Sequence, residues 1–349
     1  MRNVLRFFLF QLLASLTFVY AADTVKPVNP NASPEAVELL NYIYSISGNH
    51  LLSGQHCQPL VGDTKLSVTH RYTQEYPAVF GQDFGFSFPG YWDGINYRQR
   101  IVDDAIRRHE QGFIITLMWH AVPPTMDEPV TFKEAIQSDL TDEQWQELTT
   151  PGTELNERWK SQVDVIAWFL KQLRFADVPV LWRPYHEMNG EWFWWGAKPG
   201  EDGYKKLWRM LYDRLVNFHG LNNLIWVYNT NEMKDGVLPH SACYPGDDVV
   251  DILATDVYSE GFDDLNYQEM LKLAGSKPIA LGEVGTPPSL DKVKEQPRWT
   301  WFMVWGDMVS FRRNGQETME MLKSENVLTH KELPWVTVKD PKIHYPILK

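Results

Sequence analysis

From residue 33 onward the chain alternates two hydrophobic periods. Runs rich in β-branched and aromatic residues, bounded by Gly, Pro or Asn, predict strands over 51–56, 77–84, 113–120, 178–187, 223–229, 251–258, 278–285 and 299–307. Between them, apolar residues at three- and four-residue spacing predict helices over 33–46, 97–111, 156–175, 203–219 and 267–274. No linker interrupts the alternation, which argues for one domain. Eight strands interleaved with helices point to the α/β class and a (β/α)8 TIM barrel. An open doubly wound sheet is the alternative, and no glycine fingerprint for a dinucleotide supports it. A polar segment rich in Pro, Asp, Thr and Gln, residues 121–151, follows the third strand; in a barrel it becomes a loop on the catalytic face, able to wall a cleft.

The start of the chain breaks this pattern. A basic lead with Arg2 and Arg6 precedes an apolar run from Phe7 to Tyr20, with small residues at cleavage spacing near Ala21. Residues 1–21 are therefore expected to be a signal peptide, leaving 22–349 as the exported catalytic domain, periplasmic or secreted. A membrane anchor is disfavoured because the run is shorter than the ~20 residues that span a bilayer. Removing Arg2 and Arg6 takes the net charge from −12 to −14. So acidic a protein repels nucleic acid and anionic lipid, and a neutral partner fits better. The 15 Trp can serve as core or as platforms for sugar rings, since an indole offers both an apolar face and an N–H. Cys57 and Cys243 can be a disulfide or two buried thiols; their spacing does not decide.

The candidate chemistry lies at two strand ends. In Arg183-Pro184-Tyr185-His186-Glu187, strict alternation places Arg183, Tyr185 and Glu187 on one inward face, with Glu187 at the C-terminal end. In the seventh strand Ile279, Leu281 and Glu283 share a face, and Glu283 closes an otherwise apolar run. A buried Glu is costly unless paired or functional, and two at equivalent strand ends weaken a purely structural ion pair as the explanation. Paired carboxylates are what glycosidic cleavage needs, one to protonate the leaving oxygen and one to attack or direct water at the anomeric carbon. No metal-ligand spacing such as His-Glu-x-x-His occurs, so no metal or organic cofactor is expected.

These residues carry a resemblance. The stretch 183–187 continuing to Trp192-Phe193-Trp194-Trp195-Gly196, together with Gly282-Glu283-Val284-Gly285 and Trp119-His120, resembles glycoside hydrolase family 26 over nearly all of the chain after residue 21. The resemblance implies that Glu187 is the acid/base and Glu283 the nucleophile of a retaining double displacement; the positive charge of Arg183 nearby could hold Glu283 ionised. It also implies that His120, Arg183, His186, Trp192 and Tyr258 line the cleft. The doubled Trp194-Trp195 is similar to the mannan-cleaving branch, whose partners are β-mannan and manno-oligosaccharides. A monomer is expected.

Each residue keeps a plainer alternative. His120 hydrogen-bonds substrate or is a core histidine. His186 points away from Glu187 unless the strand end bulges or kinks. Tyr258 orients the nucleophile or packs in the core. Trp192 and Trp305 are candidate sugar platforms, whereas Trp168 and Trp208 sit on helical faces and are expected to pack. The same reacting pair would serve a mixed-linkage β-glucan or xylan, or release mannobiose from chain ends. A barrel that binds carbohydrate without cleaving it is a further alternative.

Overall fold

A computed structural model describes residues 24–85, 94–259, 262–309, 315–337, 341 and 343. The expected signal peptide lies outside the described residues. All eight expected strands are present, and they close into a parallel barrel. They are β1 (Leu51–Leu52 and Gly54–His56, interrupted at Ser53), β2 (Val79–Asp83), β3 (Ile114–Trp119) and β4 (Val180–Pro184), then β5 (Leu224–Asn231), β6 (Ile252–Val257), β7 (Ile279–Val284) and β8 (Trp299–Val304). Each pairs with the next, and β8 returns to β1 through Leu52↔Trp301 and Gln55↔Val304. A short strand, β9 (Val327–Leu328), adds to the start of β1.

Every predicted helix forms: α1 (Pro34–Ile46), α3 (Arg98–Glu110), α5 (Glu154–Phe175), α6 (Tyr204–Tyr212, continued by a π-turn at Asp213–Phe218) and α7 (Asp264–Ala274). Among the described residues four more were not predicted: α2 (Thr64–Thr73), α4 (Asp142–Leu148), α8 (Leu290–Glu295) and α9 (Gly315–Leu322). α4 falls inside the segment expected to be a loop. Its start is a capping box, in which the Thr141 hydroxyl accepts the Gln144 N–H while the Gln144 side chain accepts the Thr141 N–H.

Two apolar clusters build the core. The inner one joins α1 (Ala36, Leu39, Leu40, Ile43, Ile46) to residues near strand starts, among them Leu52, Val79, Ile114, Leu181, Ile225, Ile252 and Ala280, so α1 plugs the barrel end where strands begin. Ser33 starts that plug: its hydroxyl accepts the Ala36 N–H, and Pro34 fits the first helical position. The outer cluster lies between strands and helices; Trp208 of α6 packs there on Trp226 of β5 with ring centroids 5.4 Å apart. Trp208 therefore packs as expected, but Trp168 is 58% exposed. The α5 stripe that turns inward runs through Trp159, Val163, Ile166, Ala167 and Leu170, and position 168 falls off it. Closing the far end of the barrel is left to the loops after the strands, which is where the polar residues converge.

Candidate active site

β4 places its residues as alternation requires only as far as Pro184. Leu181 faces the inner cluster and Arg183 is buried beneath the strand ends. Tyr185 and Glu187 then adopt left-handed conformations, with φ of 48° and 56°. Such conformations cost roughly 1–3 kcal/mol each for non-glycine residues and persist only where surroundings enforce them. Here Tyr185 is turned outward, not inward as expected. Its hydroxyl accepts from Trp159 Nε1 of α5 (3.0 Å), and its carbonyl accepts from the Tyr204 hydroxyl (3.0 Å). The kink brings His186 into the site, with Nε2 3.5 Å from Glu283 Oε1. The doubled tryptophans are fully buried and brace this bend: Trp195 Nε1 donates to the His186 carbonyl (2.8 Å), and Trp194 Nε1 to that of Ala121 (2.7 Å).

Glu187 is 8% exposed, and among the described residues its carboxyl receives neutral donors, Trp192 Nε1 on Oε2 (2.6 Å) and Asn231 Nδ2 on Oε1 (2.8 Å). Burial, followed by the charge of Glu283, pushes its pKa up to about 7. Trp192 is thus a hydrogen-bond donor to Glu187; its half-buried ring also borders the cleft.

β7 reverses its face before it ends. Thr255 pairs with Leu281, but Asp256 pairs with Glu283, so Gly282 is bulged out of the register. In consequence Ala280 lies in the inner cluster while Ile279 and Leu281 lie in the outer one. The expectation that Ile279 and Leu281 share the face of Glu283 is corrected by that slip. The bulge has to be glycine: a Cβ there would stand 1.7 Å from Asn229 Oδ1 and 2.3 Å from Arg183 Nη1.

Arg183 spans the floor of the site. Nη1 donates to Asn229 Oδ1 (2.5 Å) and Asp256 Oδ1 (3.3 Å), and Nη2 to Glu283 Oε1 (3.0 Å). Burial and then Glu283 drive the Asp256 pKa well above the carboxylate range, against the pull of Arg183. Asp256 is held toward its neutral form, and the guanidinium charge is left to Glu283. The opposite oxygen, Glu283 Oε2, accepts from the Tyr258 hydroxyl (2.6 Å). Burial and then the charge of Glu283 raise the Tyr258 pKa, which keeps the phenol a donor. His186, Asp256 and Glu283 bring ligand atoms within 4.8 Å of one another, but Arg183 bridges two of the three, and its charge opposes a cation there.

His120, just past β3, bonds Asp83 Oδ2 through Nδ1; Asp83 Oδ1 accepts the His120 N–H (3.2 Å) and that of Gly85 (2.7 Å). Burial lowers the His120 pKa, but Asp83, then Glu283 and Glu187, outweigh it and the net direction is upward. Its ring meets those of His186 (4.4 Å), Phe193 (5.3 Å) and Phe132 (5.7 Å). Phe132 comes from the 121–151 segment, which therefore reaches the cleft as expected. Trp305, after β8, is half-buried, stacks on His56 at 4.0 Å and lies 6.1 Å from the His120 ring.

The eight residues singled out from sequence therefore converge. Asp83, Asn229, Asn231 and Glu232 were not singled out, although Asn229 and Asn231 stand two apart on β5, where alternation alone puts both on one face.

The model of glycosyl hydrolase family 26 matches residues 28–341. A mannan endo-1,4-β-mannosidase of Thermothelomyces thermophilus is 38% identical over 320 residues, covering 87% of this chain and 62% of that protein. The chain spans 42–62% of the length of four such relatives. Among solved structures, GH26A from a Muricauda species aligns with a TM-score of 0.83 at 44% identity, over 87% of this chain and 99% of that one. A Podospora anserina β-(1,4)-mannanase aligns at 0.72 with 33% identity, over 89% and 69%. With the family matched over almost all the described barrel, the chain belongs to glycosyl hydrolase family 26.

Proposed function

We propose that the protein hydrolyses β-1,4-mannosidic bonds in mannan, glucomannan or galactomannan, with retention, using Glu187 as acid/base and Glu283 as nucleophile. The observation that carries this reading is the unequal treatment of two buried carboxyls. Glu187 has neutral donors and a pKa raised to about 7, so it holds a proton near neutrality. Glu283 has a guanidinium on one oxygen and a phenol on the other, which suits the ionised form.

In the first step Glu283 attacks the anomeric carbon while the Glu187 proton passes to the departing glycosidic oxygen, so the sugar–oxygen bond breaks as the ester forms. Glu187, now ionised, takes a proton from water; the water oxygen attacks the same carbon, the ester breaks, and Glu283 leaves as carboxylate. On this reading His120, His186, Trp192 and Trp305 bind the reacting sugar. The mannan choice is supported by the relatives, several of which are named mannan endo-1,4-β-mannosidases. Chromatography of products from unbranched β-1,4-mannan and from lichenan tests it. Manno-oligosaccharides from the first substrate are expected; products from lichenan alone would move the protein to the mixed-linkage specificity. Residues 1–21 fit export of the enzyme to meet a polymer, which N-terminal sequencing of the exported protein checks.

A further inference from the structure

Glu232 directly follows β5 and is 2% exposed, yet it touches neither Glu187 nor Glu283. A buried carboxylate is expensive unless its oxygens are filled with donors. The donors here come from one place. Oε1 accepts the backbone N–H of Tyr258 (3.2 Å) and of Ser259 (3.0 Å), and Oε2 accepts the Ser259 hydroxyl. β6 ends at Val257, so these two amides lie past its regular pairing and need partners. Glu232 itself is tied to β6 through its own N–H on the Asp256 carbonyl (2.9 Å). The nearby cation, Lys234, lies 4.0 Å from Oε1 and 5.8 Å from the Trp192 ring.

What this arrangement fixes is Tyr258. Tyr258 as a residue is 47% exposed, and its ring leans on Gly285, where a Cβ would stand 3.0 Å from the ring. A residue so exposed is not enclosed by packing on all sides, and the aim of its ring depends on the backbone that carries it. Its hydroxyl must nonetheless stay 2.6 Å from Glu283 Oε2.

We propose that Glu232 is a positioning residue for the hydrolysis: its carboxylate clamps the turn after β6 so that the Tyr258 phenol holds the plane of the Glu283 carboxylate. The inference rests on the reading of Glu283 as nucleophile but not on which β-glycan is cut. Loss of the clamp leaves substrate contacts in place and lets the nucleophile rotate, so it acts on kcat more than on KM.

The test is a double-mutant cycle on the cleaved glycan, with wild type, E232Q, Y258F and E232Q/Y258F, alongside thermal unfolding. The amide of E232Q keeps the shape but loses one acceptor oxygen. It is expected to lower kcat about tenfold with KM within about twofold, and to change kcat by less than about twofold when Tyr258 is already Phe. An equal kcat loss in both backgrounds, or a lowered Tm with kcat unchanged, overturns the proposal. Should E232Q fail to fold, S259A removes only the hydroxyl donor, and its kcat loss is likewise expected to vanish in the Y258F background. 19F NMR of 3-fluorotyrosine-labelled protein, with the Tyr258 line assigned by its loss in Y258F, reads the clamp without turnover. E232Q should move or broaden that line; an unchanged line contradicts the clamp, whereas absent turnover with a moved line would count against the proposed hydrolysis alone.

Discussion

A carboxyl group can donate a proton near neutrality only if its surroundings penalise the anion, and Glu187 meets that condition through burial and the facing charge of Glu283. The sign of the pH dependence follows. As the proposed general acid, Glu187 must be protonated in the resting enzyme, so kcat/KM should fall as pH rises through about 7, the value to which its pKa is pushed. A pH profile on soluble mannan checks this; a plateau extending unchanged two units higher contradicts it. The same shift has a cost in stability. The folded chain keeps on Glu187 a proton that the unfolded chain releases near 4.5, so this contribution is full below that pH and is lost as pH rises through about 7. Glu187→Gln, which cannot ionise, should therefore gain in Tm relative to wild type as pH is raised across that window, as differential scanning calorimetry would show.

At the scale of elements, both proposed catalytic carboxyls owe their direction to departures from regular strand geometry: a left-handed kink at Tyr185 and Glu187, and the bulge at Gly282. Gly282→Ala puts a methyl group where Asn229 Oδ1 and Arg183 Nη1 already lie, so β7 or the arginine must move. Displacing reacting groups by even 1 Å costs on the order of 100-fold, and kcat/KM of this variant should drop at least that far with far-UV circular dichroism retained. Near-wild-type kcat/KM would mean that the bulge does not aim Glu283. The strands themselves were legible because β-branched runs between Gly, Pro and Asn mark them, and both glutamates were legible because a charge closing an apolar run is conspicuous. Their faces were not. Alternation presumes an unbroken pleat, and it failed at Tyr185, Ile279 and Leu281, beside the two glutamates proposed to do the chemistry. Gly282 was visible as an interior strand glycine that could have warned of the slip. Asp83 and Glu232 carry no local signal, since their partners, His120 and the Tyr258–Ser259 turn, are distant in sequence.

For the whole molecule, closure of eight strands around an apolar plug from α1 places every polar participant at one end, and the two cysteines stand apart from that end's chemistry. Both are free and buried, with burial pushing the Cys57 thiol up to about 12 and the Cys243 thiol up to about 11. Ellman titration should find almost no reactive thiol in the native protein and two after unfolding without reductant; none after unfolding would reveal a disulfide. The central claim is the division of labour between Glu187 and Glu283, and azide rescue tests it most directly. On an aryl β-mannobioside with a good leaving group, Glu187→Ala with azide should yield the β-glycosyl azide, formed from the ester on Glu283, whereas Glu283→Ala with azide should yield the α-azide by single displacement. The opposite pairing of variants and anomers, or a Glu283→Ala enzyme fully active without azide, would contradict the account.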